Sequence, residues 1–137
     1  MLAPALRSPG HRVLIVDRSR DSREVLRTAL ERRGIEIFEA AGARQGVALV
    51  QAHRPEVIVL DLEEEAANDG QVLDQLDATS RAHQASLVVL GREPRYEQTL
   101  PKERIVPKPY HYGPLVRTIE ELLETCPGSQ RTVRNPG

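Results

Sequence analysis

The sequence predicts an α/β fold in which helices cover both faces of one doubly wound parallel sheet. Three short runs of Val, Ile and Leu lie at residues 13–16, 57–60 and 87–90. Continuous apolar runs of this length are typical of strands that are buried on both faces. Segments with apolar residues at helical spacing lie between these runs. Alternation of strands and helices on this scale indicates right-handed β–α–β crossovers.

Five strands are predicted from the apolar pattern. Ile35 and Ile37 alternate with charged residues, which is typical of an edge strand. The other four predicted strands are residues 12–17, 57–61, 86–90 and 104–107.

Four helices are predicted between and after these strands. The first covers 21–33, because Asp21 and Glu24 resemble a capping box and Gly34 is a natural stop. The second has the stripe Ala43, Val47 and Val50 and ends before Pro55, the third opens at Gly70, and the last has Pro114 in its first turn. Between Gly91 and Lys108 the chain holds three prolines, which predicts a short helix or none.

Composition limits the classes of function. A chain of 137 residues is long enough to bury the core of one domain. With 19 Lys and Arg against 20 Asp and Glu, the net charge of −1 gives no argument for a nucleic-acid partner. Aromatic residues make up only 3% of the chain, so base-stacking surfaces are not expected. The single cysteine, Cys126, excludes an intramolecular disulfide.

The domain is expected to span residues 12–125, with a flexible lead-in at 1–11 and a flexible tail at 126–137. Both ends are rich in polar residues, Pro and Gly, and no further domain is expected after the tail. The lead-in lacks the apolar centre of a signal peptide, and no apolar run is long enough to cross a membrane. We therefore predict a cytoplasmic protein without a membrane partner.

Three charged residues follow predicted strands. Asp17 and Asp61 each close an apolar run, and Lys108 follows the pair Ile105 and Val106. In open α/β sheets, ligands bind outside the carboxyl ends of the strands. The two acids and the lysine are therefore expected to converge on one pocket.

This combination resembles the receiver domain of two-component response regulators, from about Arg12 to Glu124. The resemblance implies the flavodoxin-like strand order 2-1-3-4-5 and a signalling module that is not an enzyme. It implies that Asp61 accepts a phosphoryl group from a histidine kinase or phosphotransfer protein and that Lys108 contacts that group. It also implies Mg²⁺ as a candidate cofactor, with Asp17 and Asp61 as metal ligands. Homodimerisation is common in such domains and is an open alternative here.

Four positions depart from the receiver pattern. Arg18 stands where a second acid is usual, and Glu63, two residues after Asp61, is the candidate replacement ligand. Gly91 and Ile105 replace the usual hydroxyl and aromatic residues of the conformational switch. The pattern thus predicts a receiver whose site chemistry is reduced.

Two mechanisms remain open within the resemblance. In one, Asp61 is phosphorylated and Glu63 supplies a metal ligand. In the other, which we favour, the chain is a pseudo-receiver that binds another signalling protein. Arg18 and Lys108 then neutralise Asp17 and Asp61, so Mg²⁺ binding is weak or absent. Arg18 is expected to face Asp61 within about 4 Å as an ion pair, although a rotamer in solvent is the alternative.

The alternative interpretation, from a different functional class, is a small flavodoxin-like cofactor-binding module or enzyme. No glycine-rich phosphate loop follows the first strand, where Arg18, Ser19 and Arg20 stand instead. Few aromatic residues are present to enclose a flavin. Both observations weigh against this alternative.

Overall fold

The computed structural model describes residues 11–61, 69–91, 105–106 and 110–125. These residues form a five-stranded sheet in the order β2-β1-β3-β4-β5, which confirms the predicted fold class. The strands are β1 (Arg12–Val16), β2 (Glu36–Ala40), β3 (Val57–Asp61), β4 (Ser86–Leu90) and β5 (Ile105–Val106). The described helices are α1 (Arg20–Glu31), α2 (Ala43–His53), α3 (Asp69–Ala82) and α4 (Tyr112–Thr125).

The sheet is parallel at every described pairing. Strand β1 lies between β2 and β3, so that Val13 is opposite both Ile37 and Val57. Residues of β3 and β4 are buried on both faces, with Asp61 only partly buried at the end of β3. This burial explains why the sequence shows continuous apolar runs rather than alternation at these strands.

Two apolar cores lie on opposite faces of the sheet. Helices α1 and α4 cover one face through residues such as Leu26 and Ile119. Helices α2 and α3 cover the other through residues such as Val50 and Leu76. Fully burying a Leu or Ile side chain stabilises the fold by about 1.5–3 kcal/mol. The two helix layers therefore stabilise the sheet by burying both of its faces. The two acids that end apolar runs lie at the carboxyl edge of the sheet, outside the two apolar cores.

The start of α1 differs from the prediction. Ser19, rather than Asp21, caps the helix, and its hydroxyl oxygen accepts a 3.2 Å hydrogen bond from the backbone N–H of Ser22. Ser19 has the extended backbone conformation that is typical of a cap residue, so the helix begins at Arg20 and not after the predicted cap Asp21. The helix ends at Glu31, followed by a turn in which Gly34 has φ 80°, as expected for a stop.

Helix α2 packs closely over the end of β1. A Cβ atom built on Gly46 would lie only 3.1 Å from Cγ2 of Val16. The close approach brings the loop between β2 and α2 next to the last residues of β1. A larger residue at position 46 would therefore require the side chain of Val16 to move.

Three predictions concern residues outside the described ranges: the short or missing helix between Gly91 and Lys108, the lead-in and the tail. Within the described ranges, none of the helices combines the length and the apolar character needed to cross a bilayer.

Candidate functional site

A small cleft of about 40 Å³ lies at the carboxyl edge of the sheet. Asp17, Arg18 and Asp61 line it together. The remaining described lining residues are apolar or small: Val16, Leu60, Ala41, Gly42 and Val72. The strands β1 and β3 are direct neighbours, with Val16 opposite Leu60, so their following residues meet at one place. The structure thus brings together three of the residues singled out from sequence.

Asp17 is held tightly at the end of β1. Asp17 is only 5% exposed, and its Oδ1 accepts a 2.9 Å hydrogen bond from the backbone N–H of Ser19. Its own N–H donates to the carbonyl oxygen of Ala40 at 3.0 Å. The guanidinium of Arg23 donates a hydrogen bond to the backbone carbonyl oxygen of Asp17. Hydrogen bonds to the N–H, the carbonyl oxygen and one carboxylate oxygen of Asp17 therefore fix the orientation of its side chain.

Asp61 and Arg18 are placed differently from Asp17. Asp61 is the last residue of β3 and is partly buried, opposite Leu90 in register. Arg18 is exposed although it lines the cleft beside both acids. The predicted ion pair between Arg18 and Asp61 stays a prediction.

Lys108 and Glu63 lie outside the described residues. The phosphoryl-contacting role of Lys108 and the replacement-ligand role of Glu63 therefore stay predictions.

A cluster of three charged residues, Arg23, Glu39 and Arg27, lies beside the cleft. One carboxylate oxygen of Glu39 is 3.1 Å from Nε of Arg23, and the other is 2.7 Å from Nη1 of Arg27. Burial alone would raise the pKa of Glu39, but hydrogen bonds and the positive charges of Arg27 and Arg23 outweigh it and lower this pKa. The i, i+4 spacing of the arginines was the only sequence signal for this cluster.

Tyr110 is a second residue that the sequence reasoning missed. It is partly buried and packs edge-on against Tyr112, with ring centroids 5.4 Å apart. Burial, the neighbouring Tyr112 hydroxyl and the negative charges of Asp61 and Asp17 raise the pKa of Tyr110 well above its usual value. The phenol thus lies within the electrostatic range of the cleft acids. Its position directly after the Lys-Pro pair was the available signal.

Gly91 directly follows β4 and has a backbone conformation that favours glycine. Its φ is 126°, and its buried N–H donates a 2.8 Å hydrogen bond to the carbonyl oxygen of Val106. Residues with a Cβ atom rarely adopt this φ, and the strain of doing so costs about 1–3 kcal/mol. A hydroxyl residue is therefore disfavoured at this position by the backbone itself.

In the described part of the cleft, a Mg²⁺ ion would meet two carboxylates and one guanidinium. Magnesium prefers octahedral oxygen ligands and retains several of its waters. Within the described ranges, no group of three or more His, Cys, Asp or Glu residues is placed to hold a metal ion. The cleft offers the carboxylates of Asp17 and Asp61 beside the guanidinium-bearing side chain of Arg18.

Comparison with known proteins gives one family and a set of similar structures. The sequence model of the family described as response regulator receiver domain matches residues 13–99. No curated protein matches the chain significantly. The fold is similar to that of many solved structures, and three of them illustrate the range.

The receiver domain of the Francisella response regulator 1452 is 18% identical, with a TM-score of 0.69 and coverage of 84% of this chain and 98% of that one. The Vibrio cholerae chemotaxis protein CheY4 is 21% identical, with a TM-score of 0.67 and coverage of 82% and 98%. A two-component transcriptional regulator AraC from Clostridium phytofermentans is 20% identical, with a TM-score of 0.70 and coverage of 88% and 98%. At these identities the similarity establishes the fold.

Proposed function

This chain belongs to the response regulator receiver domain family, and we propose that it is an atypical receiver of two-component signalling. In this proposal Asp61 is the residue equivalent to the phosphoacceptor, and its Mg²⁺-dependent phosphorylation is reduced or absent. The domain spans residues 12–125 and works as a signalling module rather than as an enzyme with turnover.

The observation that carries the proposal is the position of Arg18. Its side chain lines the same cleft as Asp17 and Asp61, where a second acid is usual in receivers. A guanidinium beside two carboxylates reduces the electrostatic attraction for a divalent cation. Arginine also offers several N–H donors in a planar fork that suits a carboxylate. Arg18 can therefore take over part of the charge neutralisation that a metal ion would supply.

The usual conformational switch is also missing from the sequence. Gly91 has no hydroxyl to follow a phosphoryl group, and Ile105 has no aromatic ring to reorient. The φ of 126° at Gly91 supports the view that glycine is required there for the backbone. We therefore propose that this receiver signals without the hydroxyl–aromatic pair.

The partner is proposed to be a histidine kinase, a phosphotransfer protein or another signalling protein. The competing mechanism within the family keeps phosphorylation of Asp61 and uses Glu63 as a metal ligand. The two mechanisms differ in whether the wild-type protein accepts a phosphoryl group at all.

Phosphorylation with a small-molecule donor tests this proposal. The wild type, Asp61→Asn, Arg18→Asp and Arg18→Asp/Asp61→Asn are incubated with phosphoramidate and Mg²⁺, and the intact mass of each protein is measured. We expect little phosphorylation of the wild type, clear phosphorylation of Arg18→Asp and none of the double variant. Complete phosphorylation of the wild type that is lost in Asp61→Asn would contradict the proposal and favour the Glu63 mechanism.

A further inference from the structure

We propose that Arg23 is a positioning residue of this site, because it joins α1 to the ends of two strands and holds Asp17 in place. The inference rests on the proposed function in one respect, since that function assigns Asp17 to the site. The contacts themselves are a property of the fold.

A single guanidinium makes both connections. Arg23 donates through Nη1 to the backbone carbonyl oxygen of Asp17 and through Nε to Oε1 of Glu39 at 3.1 Å. Its side chain is only 15% exposed. Arginine suits this place because its N–H groups are spread over a rigid plane, so two acceptors in different directions are reached at once. A lysine ammonium has neither this spread nor this reach.

Glu39 is itself fixed by a second arginine. Nη1 of Arg27 lies 2.7 Å from Oε2, so each carboxylate oxygen of Glu39 is bound by a different residue of α1. The carboxylate cannot rotate away from Arg23 without also breaking the contact with Arg27. Each arginine thus adds its own bond from α1 to the end of β2, and only Arg23 also bonds to Asp17.

The consequence for the cleft lies in the orientation of Asp17. Ser19 donates its N–H to one carboxylate oxygen of Asp17, which directs the side chain back toward the start of α1. This geometry requires that the end of β1 and the start of α1 keep a constant separation. Arg23, one turn into the helix, supplies the bond that spans this separation. Loss of the bond is expected to loosen the backbone of Asp17 and to leave its carboxylate poorly aimed.

Amide hydrogen exchange of Asp17, measured by NMR relative to the core amide of Val59, reports how firmly the end of β1 is held, because the N–H of Asp17 is bonded to the carbonyl oxygen of Ala40. We expect Arg23→Gln to accelerate the relative exchange at Asp17 by about tenfold, the effect of losing one charge-assisted hydrogen bond. Arg27→Gln is the matched control, since it removes the other bond to Glu39 and leaves the Asp17 contact intact. Equal effects of the two variants would overturn the proposal, because the cluster would then act only as a surface network.

Arg23→Lys provides a second variant that keeps the positive charge and is expected to keep the fold. A lysine can still pair with Glu39 but cannot also reach the Asp17 carbonyl, so the exchange at Asp17 should match that of Arg23→Gln. Wild-type exchange in Arg23→Lys would show that the charge alone suffices and would contradict a positioning role.

The effect on the site is measured in the Arg18→Asp background by titration with Mg²⁺. Adding Arg23→Gln should weaken Mg²⁺ binding by about tenfold, whereas adding Arg27→Gln should change it by less than about twofold. Equal weakening by both additions would again overturn the role of Arg23. If Arg18→Asp alone binds no Mg²⁺, the explanation based on Arg18 fails, while the exchange at Asp17 still decides the role of Arg23.

Discussion

The backbone N–H of Gly91 donates a 2.8 Å hydrogen bond to the carbonyl oxygen of Val106, which joins the end of β4 to the end of β5. Gly91 is buried and has a φ of 126°. Receivers usually have a hydroxyl residue at this position. Here the backbone geometry favours glycine, so the absence of the hydroxyl is coupled to the local fold.

Replacing Gly91 by Ser is expected to destabilise the domain by about 1–3 kcal/mol, because the added Cβ atom is strained at this φ. Equilibrium unfolding in urea measures the loss. Gly42→Ser is the matched control: Gly42 has φ −156°, caps α2, and has no atom within 4 Å of a built Cβ. Serine is favourable at a helix cap, so this control should be neutral or stabilising. Similar losses in the two variants would show that Gly91 is not required by its backbone.

Mg²⁺ binding should be weak in the wild type and at least about tenfold tighter in Arg18→Asp, since one guanidinium is replaced by one carboxylate ligand. Isothermal titration calorimetry measures both affinities. Arg20→Asp makes the same change of charge at an exposed residue that is not among the described lining residues of the cleft. If Arg20→Asp tightens binding as much as Arg18→Asp, net charge rather than the position of Arg18 explains the result.

Glu39 should contribute stability that depends on acid pH. Its folded-state pKa is lowered, because Arg27 and Arg23 outweigh the opposing effect of burial. This contribution is therefore fully present above the unfolded-state pKa of about 4.5 and is lost as the pH falls through the folded-state value. Glu39→Gln should flatten this part of the stability–pH curve. Glu36→Gln, an exposed change on the same strand, should leave the curve as it is.

Tyr110 should contribute stability that is lost at alkaline pH. Its folded-state pKa is raised by burial, by Tyr112 and by the charges of Asp61 and Asp17. The contribution is thus fully present below the ordinary pKa of 10.0 and is lost as the pH rises from there through the folded-state value. Tyrosinate absorbance should show that Tyr110→Phe removes a tyrosine that ionises above its ordinary pKa. Asp61→Asn should shift this ionisation to lower pH; an unchanged titration would exclude an effect of Asp61 on Tyr110.

Local patterns in the sequence were sufficient for most of the framework. Strands β3 and β4 have the predicted bounds, because continuous apolar runs reflect burial on both faces. The meeting of Asp17 and Asp61 also followed from sequence, since each acid ends an apolar run and parallel strands end at the same edge. Boundaries were less certain: β1 ends at Val16, one residue before the predicted limit, and Ser19 replaces Asp21 as the cap of α1.

The tertiary structure decided what surrounds the two acids. Arg23 and Glu39 are 16 residues apart, and their contact depends on how α1 is rotated against the sheet and on where β2 ends. The bond from Gly91 to Val106 depends on the pairing of β4 with β5. Helix rotation and strand register result from packing of the whole core, whereas a periodic apolar pattern reports only which face of one element is buried. The sheet and the position of its two acids could therefore be predicted from the sequence, whereas the residues that hold these acids are set by the packing of the folded chain.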